Sequence, residues 1–573
     1  MHVEMDRQMP NGEGQPPEAL VAPYREPESP FATISVGHVI AALLTIVLLF
    51  GILLFPDHPE SFTVQHFTKM PVEWPLIVLA LLLTNGTALV VLRCLLVAIL
   101  GLAVLLRMAD IGSRIAFDRR FSPLVEWHLI GDGWNLASQQ VGLVEAGFAL
   151  VLALALLAVL LLLLYIGLGS VGRLSGKTGK QVGVISAALL AVGVLALWFQ
   201  DADTEGLGVQ ASFVPELVDR SKDMQRSIVD QQSFIAELIV DPVSISDPPR
   251  FSALAGLDVA FVFIESYGQS FLADEDLGLI AADRLASMER QIKDAGLHVR
   301  SGWMTSPVRG GRSWLTHASF ASGLEISNQA RFDRLVSSDR ASLYSLFGQA
   351  GWHTVGLVPA IREAWPEGAW YGFDEIYDFQ RLNYQGQAFG WVTMPDQYTL
   401  STFEQTIRQP TERPVMAEIA LISSHAPWTP LPELVPWESV GDGSVFDGSY
   451  RFGEPMTWNN RVRVREMYAK SLDYSLATVG EYLARHGKGA LFVVHGDHQP
   501  ASIIAGWGKT ADVPIHIVSE DLALLDRLPT EVFTPGMMPG ATSSSLPMWS
   551  VREMMSSVFE NDDESFLAAP PVQ

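Results

Sequence analysis

Cysteine is nearly missing from this chain. Among its 573 residues there is one, Cys94, inside an apolar run. No intramolecular disulfide can form, so the redox compartment cannot be read from cysteine usage. Positive charge is scarce too. Lys and Arg number 38 against 63 Asp and Glu, a formal net charge of −25. That balance excludes a nucleic-acid-binding surface, which needs clustered Lys and Arg. It leaves anionic substrates open, because a bound cation reverses the local field. Internal repeats are also absent.

Apolar residues are plentiful. They make up 49% of the chain, and mean hydropathy is +0.23, which argues for a membrane part. Residues 1–33, rich in Pro, Glu and Gly, read as a disordered cytoplasmic tail. Residues 34–55 are apolar over the length of a span, too long for a removable signal peptide and without its small-residue cleavage pattern. Residues 70–107 read as two spans joined by a tight hairpin, interrupted by Asn85, Gly86 and Arg93. Residues 107–141, with Trp127, His128 and Trp134, suit the membrane interface. Residues 146–168 and 182–199 are two further spans, giving five within 34–200. The short loop before the last span carries Arg173, Lys177 and Lys180 and no acid, so it is expected in the cytoplasm, with Arg93 on the same side. Five crossings then leave everything after Asp201 outside.

Residues 201–250 place Phe213, Leu217, Met224, Ile228, Phe234 and Leu238 at near-helical spacing among charges. They predict one or two amphipathic linker helices, lying on the membrane or packed on the next domain. From 251 to 560, strands predicted at 257–264, 352–358, 415–422, 490–494 and 513–518 alternate with helices at 279–295, 343–350 and 462–486. This pattern argues for an α/β sheet with helices on both faces. The Gly- and Asp-rich stretch 441–454 reads as a surface loop, with calcium binding as the alternative. Residues 561–573 form a tail.

The chemistry starts at 490–500, ALFVVHGDHQP. A buried strand runs straight into Asp497 and His498. Ligands of open α/β sheets bind beyond the carboxyl ends of such strands, and an Asp–His pair suits a divalent metal. A solvated strand-end turn is the plainer alternative. Glu265 ends the strand DVAFVFIE, where a carboxylate is poorly explained as core. Beside Asp497 and His498 it would complete an oxygen-rich site. In SPVRGGRSWLTHASFASG, residues Gly310 to Ser313 open a helix. The glycines permit the turn, the helix start favours an anion, and Ser313 is either a simple N-cap or a nucleophile activated by a metal.

On VFIES (262–266), GGRSW (310–314), SSHAPW (423–428) and HGDHQP (495–500), with YGFDEIYD (371–378) as a structural echo, the chain resembles the alkaline phosphatase/sulfatase superfamily. It is most similar to membrane enzymes of the lipoteichoic acid synthase type, with five spans, a linker and an extracytoplasmic sulfatase-like domain. The resemblance implies a five-span α-helical membrane domain followed by an α/β alkaline-phosphatase-like catalytic domain. It implies one divalent cation, manganese first, with magnesium, zinc or calcium as alternatives, held by Glu265, Ser313, Asp497 and His498. It makes Ser313 the nucleophile and gives His425 acid/base or phosphoryl contact. His317, Arg362 and Trp365 would line the substrate pocket, although the family's tryptophan–arginine pair does not align cleanly with AIREAW.

Leu315 and His317 stand where sulfatases carry Pro and Arg after the modified residue, so the formylglycine signal is missing. An unmodified hydroxyl suits phosphoryl transfer better than sulfate ester hydrolysis. The expected enzyme is a phosphotransferase of the bacterial cytoplasmic membrane, its catalytic domain on the periplasmic or extracellular side. It would move phosphoglycerol or phosphoethanolamine from a phospholipid donor to an envelope glycan or glycolipid. The disulfides usual in membrane phosphoethanolamine transferases are lacking, which weighs against that branch. The alternatives are a sulfatase-like hydrolase (phosphodiesterase, phosphatase or sulfuric ester hydrolase) and a catalytically inactive lipid-sensing module.

Overall fold

The computed structural model describes residues 36–560, apart from 124–125, 128–129, 132, 135–136, 139–141, 200–207, 242–250, 390–391, 429 and 449–459. The two expected tails, parts of the interfacial segment and the end of the 441–454 loop lie outside the described residues.

Five apolar helices come first: α1 (Val36–Leu53), α2 (Glu73–Leu83), α3 (Gly86–Phe117), α4 (Leu143–Gly172) and α5 (Gly176–Trp198). Four of them, α1, α3, α4 and α5, are long and apolar enough to cross a membrane. Of the five expected spans four are present at full length, and the fifth, α2, is apolar but has 11 residues. At about 1.5 Å per residue that is about 16 Å, roughly half of a hydrocarbon core. Its start is pinned elsewhere. Glu73 accepts backbone N–H groups from Ser212, Phe213 and Val214 at 2.9, 2.8 and 3.2 Å, and Met70–Pro71 pairs with Val209–Gln210. The residues before α2 are thus committed to a junction with the linker.

The helix expected to end near Arg107 instead runs 32 residues to Phe117. Its charges are paired, so it need not stop at them. Arg107 donates to the carbonyls of Ile52, Leu53 and Phe55 and to Glu216, while Asp110 pairs with Arg220. The end of α1 therefore meets the far half of α3, while Leu89 near its start packs on Gly172 at the end of α4. Successive helices thus alternate in direction.

The linker is one helix, α6 (Phe213–Ile239), of 27 residues. Its first half is tied to α3 by the Arg107–Glu216 and Arg220–Asp110 pairs. Its second half buries Phe234 against Val308, Leu315 and Phe332, and Asp230 pairs with Arg331.

The domain beyond is built on a nine-stranded sheet. Its strands are β1 (Asp258–Ile264), β2 (His298–Thr305), β3 (His353–Val358), β4 (Glu375–Asp378), β5 (Val415–Leu421), β6 (Ala490–Gly496), β7 (Asp512–Ser519), β8 (Thr534–Pro535) and β9 (Ser545–Pro547). Their order is β8-β2-β7-β6-β1-β5-β3-β4, with β9 beside β2. The central strand β1 lies parallel to β5 and β6, and β7 runs antiparallel to both of its neighbours. Alternate residues of β1 enter two separate cores: Ala260, Val262 and Ile264 on one face, Val259, Phe261 and Phe263 on the other. A strand buried on both faces reads as a continuous apolar run. The first face is covered by α7 (Leu277–Asp294) and α9 (Arg461–His486), whereas α8 (Ser313–Ser322) lies on the second.

Candidate metal and nucleophile site

Two neighbouring strand ends bring the acidic residues together. Ile264 and Gly496 are register partners, so the residues that follow, Glu265 and Asp497, emerge side by side. His498 comes next on the same turn. Ser313 arrives from the other face of the sheet, as the first residue of α8. Its approach requires left-handed backbone at Gly310 (φ 75°) and again at Arg312 (φ 67°). That conformation is free for glycine and costs Arg about 1–2 kcal/mol. The turn leaves Arg312, rather than Ser313, at the cap position, and Arg312 makes no side-chain cap bond.

Ser313 Oγ lies 3.1 Å from Glu265 Oε2 and 3.2 Å from His498 Nε2. His498 Nε2 is 3.3 Å from Asp497 Oδ2 and 3.6 Å from Glu265 Oε1. Its Nδ1 stands 2.8 Å from the Gln499 carbonyl. A carbonyl can only accept, so Nδ1 donates to it and Nε2 is the ring nitrogen that faces the cluster. Asp497 Oδ1 is occupied, accepting the N–H groups of Ser266 and His498 at 2.7 Å each. Its Oδ2 remains for the cluster. The Ser266 hydroxyl donates to Glu265 Oε1 at 2.8 Å, and the Ser424 hydroxyl to the Glu265 carbonyl at 2.6 Å.

Glu265, Asp497 and His498 are all buried, and one ligand atom from each lies within 4.8 Å of the others. Burial works against the Glu265 charge, but His425, His498 and the Ser266 hydroxyl hold its carboxyl down at about 2. Burial and the Glu265 charge push Asp497 up to about 6. Two carboxylates and an imidazole nitrogen confined this way suit a divalent cation, which would relieve the repulsion that lifts Asp497. The residues present fit the implied metal.

The other expected residues fall at different depths. His425 follows β5, the neighbour of β1, and its Nδ1 is 2.5 Å from the Ala426 carbonyl. His317, one turn into α8, is stacked on Phe263 at 4.0 Å and hydrogen-bonded to Glu418. Burial would lower its pKa, but the Glu418 carboxylate raises it. Arg362 is exposed on the loop after β3, over the Phe379 ring at 5.5 Å. Trp365 packs against Tyr371 at 5.3 Å. Neither touches the Ser313 cluster among the contacts of the described residues. Glu418, 2% exposed in mid-strand, was not singled out from sequence. The signal for it was the lone carboxylate in the apolar run VMAEIAL.

No family model matches the chain, and no curated protein does. Solved structures do. The integral membrane protein lipooligosaccharide phosphoethanolamine transferase A (EptA) from Neisseria meningitidis is 13% identical. That match covers 91% of this chain and 92% of EptA, with a TM-score of 0.42. Lipoteichoic acid synthase LtaP from Listeria monocytogenes is 12% identical, covering 55% of this chain and 75% of LtaP, at a TM-score of 0.36. Streptococcus pyogenes phosphoglycerol transferase GacH, solved with sn-glycerol-1-phosphate, is 13% identical, covering 60% and 89%, at a TM-score of 0.34.

Proposed function

We propose that the chain is a metal-dependent phosphotransferase of the bacterial cytoplasmic membrane, its α/β domain on the periplasmic or extracellular side. It would carry a lipid-derived phosphoglycerol or phosphoethanolamine group, through a seryl intermediate, to an envelope glycan or glycolipid. The observation that carries this reading is Ser313 Oγ, within 3.2 Å of both Glu265 and His498 at a buried three-ligand cluster. Glu265, Asp497 and His498, with Ser313, would hold the cation, manganese first. When bound, it supplies Lewis-acid lowering of the serine hydroxyl's pKa.

The lipid follows from where the site stands. The membrane-crossing helix α3 ends at Phe117, and a Cβ on Gly310 would lie 1.9 Å from the carbonyl oxygen of Ala116. The turn before Ser313 is therefore in backbone contact with the end of that helix, which supports a substrate presented at the membrane surface. In the first step a bond forms between Ser313 Oγ and phosphorus, and the bond from phosphorus to the lipid's glycerol oxygen breaks. Ser313 gives up its proton, and the leaving oxygen gains one, a task assigned to His425. In the second step the acceptor hydroxyl attacks phosphorus and Ser313 recovers its hydroxyl. Arg362 and Trp365 are assigned to the incoming substrate. His317 is assigned there as well, with its orientation set by Glu418.

Ser313→Ala should abolish metal-dependent release of head group from labelled phospholipid. Full retained activity would remove Ser313 as nucleophile. Adding candidate glycans separates the outcomes: labelled glycan means transfer, whereas free head group alone means a hydrolase.

A further inference from the structure

Ser313 and its neighbour Arg312 face different partners. Ser313 turns to Glu265 and His498. Arg312 turns toward the membrane part, with its guanidinium 5.2 Å from the Phe117 ring and Nη1 3.6 Å from Glu126 Oε1. Arg119 pairs with that same carboxylate oxygen. Two arginines thus share one acid. The Arg312 side chain is 5% exposed, yet among the described residues its Nε has no hydrogen-bond partner, nor has Arg119 Nε. Burial pulls Arg119 down to about 9, aided by the Arg312 charge. A buried donor left unpaired is costly, and a surplus buried cation more so. The local surplus is positive in a chain of net charge −25. Nearby, Trp127 and Ile130 are 71% exposed, apolar groups suited to a lipid interface.

We propose that Arg119 and Arg312 form a second anion subsite, distinct from the Ser313 cluster, that takes the phosphate of an anionic membrane lipid. In the free protein Glu126 stands in for that phosphate. The Glu126 carboxylate is the right charge but only one acceptor group for two guanidinium forks; a phosphodiester offers oxygens to both. The position of this pair, between the end of α3 and the nucleophile turn, sets a lipid head group against the catalytic loop. The assignment rests on the membrane-facing reading of the site given above, but not on any chemical step at Ser313.

The test is binding, with the full chain in a neutral detergent. Dioctanoyl phosphatidylglycerol, dioctanoyl phosphatidylcholine and inorganic phosphate are titrated separately by calorimetry. The wild type should bind the anionic lipid at least about tenfold tighter than the zwitterionic one, with inorganic phosphate weaker than the anionic lipid. Arg119→Gln and Arg312→Gln should each remove that preference. Glu126→Gln, which removes the internal competitor, should tighten the anionic lipid by about tenfold. Glu126→Gln also keeps the test alive if an arginine variant fails to fold. An anionic-lipid preference kept in Ser313→Ala supports the subsite whatever becomes of the phosphotransferase reading, and a preference lost in Ser313→Ala would place the lipid at the Ser313 cluster and overturn the subsite. Equal affinity for the two lipids, or no change in either arginine variant, would overturn the subsite. Inorganic phosphate binding as tightly as the anionic lipid would overturn its assignment to the membrane.

Discussion

Gly310 lies so close to Ala116 that a side chain cannot be added without parting them: a Cβ there would stand 1.9 Å from the Ala116 carbonyl oxygen. The two residues belong to the turn before Ser313 and to the end of the long apolar helix. Gly310 also holds a left-handed φ of 75°. Gly310→Ala should therefore cost about 1–2 kcal/mol in backbone strain alone and force the turn off the helix. The expected outcome is a drop in head-group release well beyond the drop in thermal stability. Unchanged turnover would mean that the contact does not hold the turn.

Metal content gives a direct reading of the acidic cluster. Exhaustive chelation should abolish activity, and manganese should restore it. Glu265→Gln and Asp497→Asn should each lower bound metal below half an equivalent by elemental analysis, because each removes a charged ligand from a three-ligand group. Full metal content in both variants would mean that the ion sits elsewhere.

The junction between α3 and α6 depends on charges removed from water. Arg220 Nη2 is 2.5 Å from Asp110 Oδ2, and Asp110 is fully buried. Asp110→Asn should leave the acceptor for the Phe121 N–H but strip Arg220 of its counter-charge. A loss of about 3 kcal/mol is expected, on the scale of breaking one side of a buried pair. Limited proteolysis would register it as faster cleavage within α6. Cleavage at the wild-type rate would show the helix to be held by other contacts.

One buried histidine sets an acid limit. His516, in β7, accepts or donates to Tyr267 and Ser301 at 3.1 and 2.8 Å, and burial lowers its pKa from 6.5 to about 3. The unfolded chain takes up a proton near pH 6.5 while the folded protein does not. Stability should therefore fall by about 1.4 kcal/mol for each pH unit below 6.5, down to about pH 3. Between pH 6.5 and 5 this single group contributes a loss of about 2 kcal/mol. His516→Gln should lose less over that interval than the wild type does, whatever its starting stability. Parallel pH curves for the two proteins would contradict the assignment.

The central strands were legible because β1 and β6 are covered on both faces and so carry unbroken apolar runs ending in Glu265 and Gly496–Asp497. Each end of chain announced its own ligand, and their meeting followed from parallel pairing. Strand β2, HVRSGWMT, was not legible, since Arg300, Ser301 and Gly302 in a row break both an apolar run and a two-residue alternation, and the Arg300 side chain pairs with Asp526. Helix α3 was read as ending at Arg107 because a charge usually marks the end of a span. The partners that allow it to continue, Glu216 and Arg220, lie about a hundred residues later. The Arg119–Glu126–Arg312 group was invisible for the same reason: its members are 186 residues apart at the closest approach of the two segments, counted from Glu126 to Arg312. Pattern reading sees local periodicity, and these pairings are wholly non-local.

The 32 residues of α3 make a rod about 48 Å long, with one end among the other spans and the other against Gly310. A lean of about 5° about the distant end would carry the near end by about 4 Å, more than the hydrogen-bond distances that define the cluster. Bilayer thickness, which bears on how such rods lean, thereby becomes a variable in the alignment of Ser313 with its cluster.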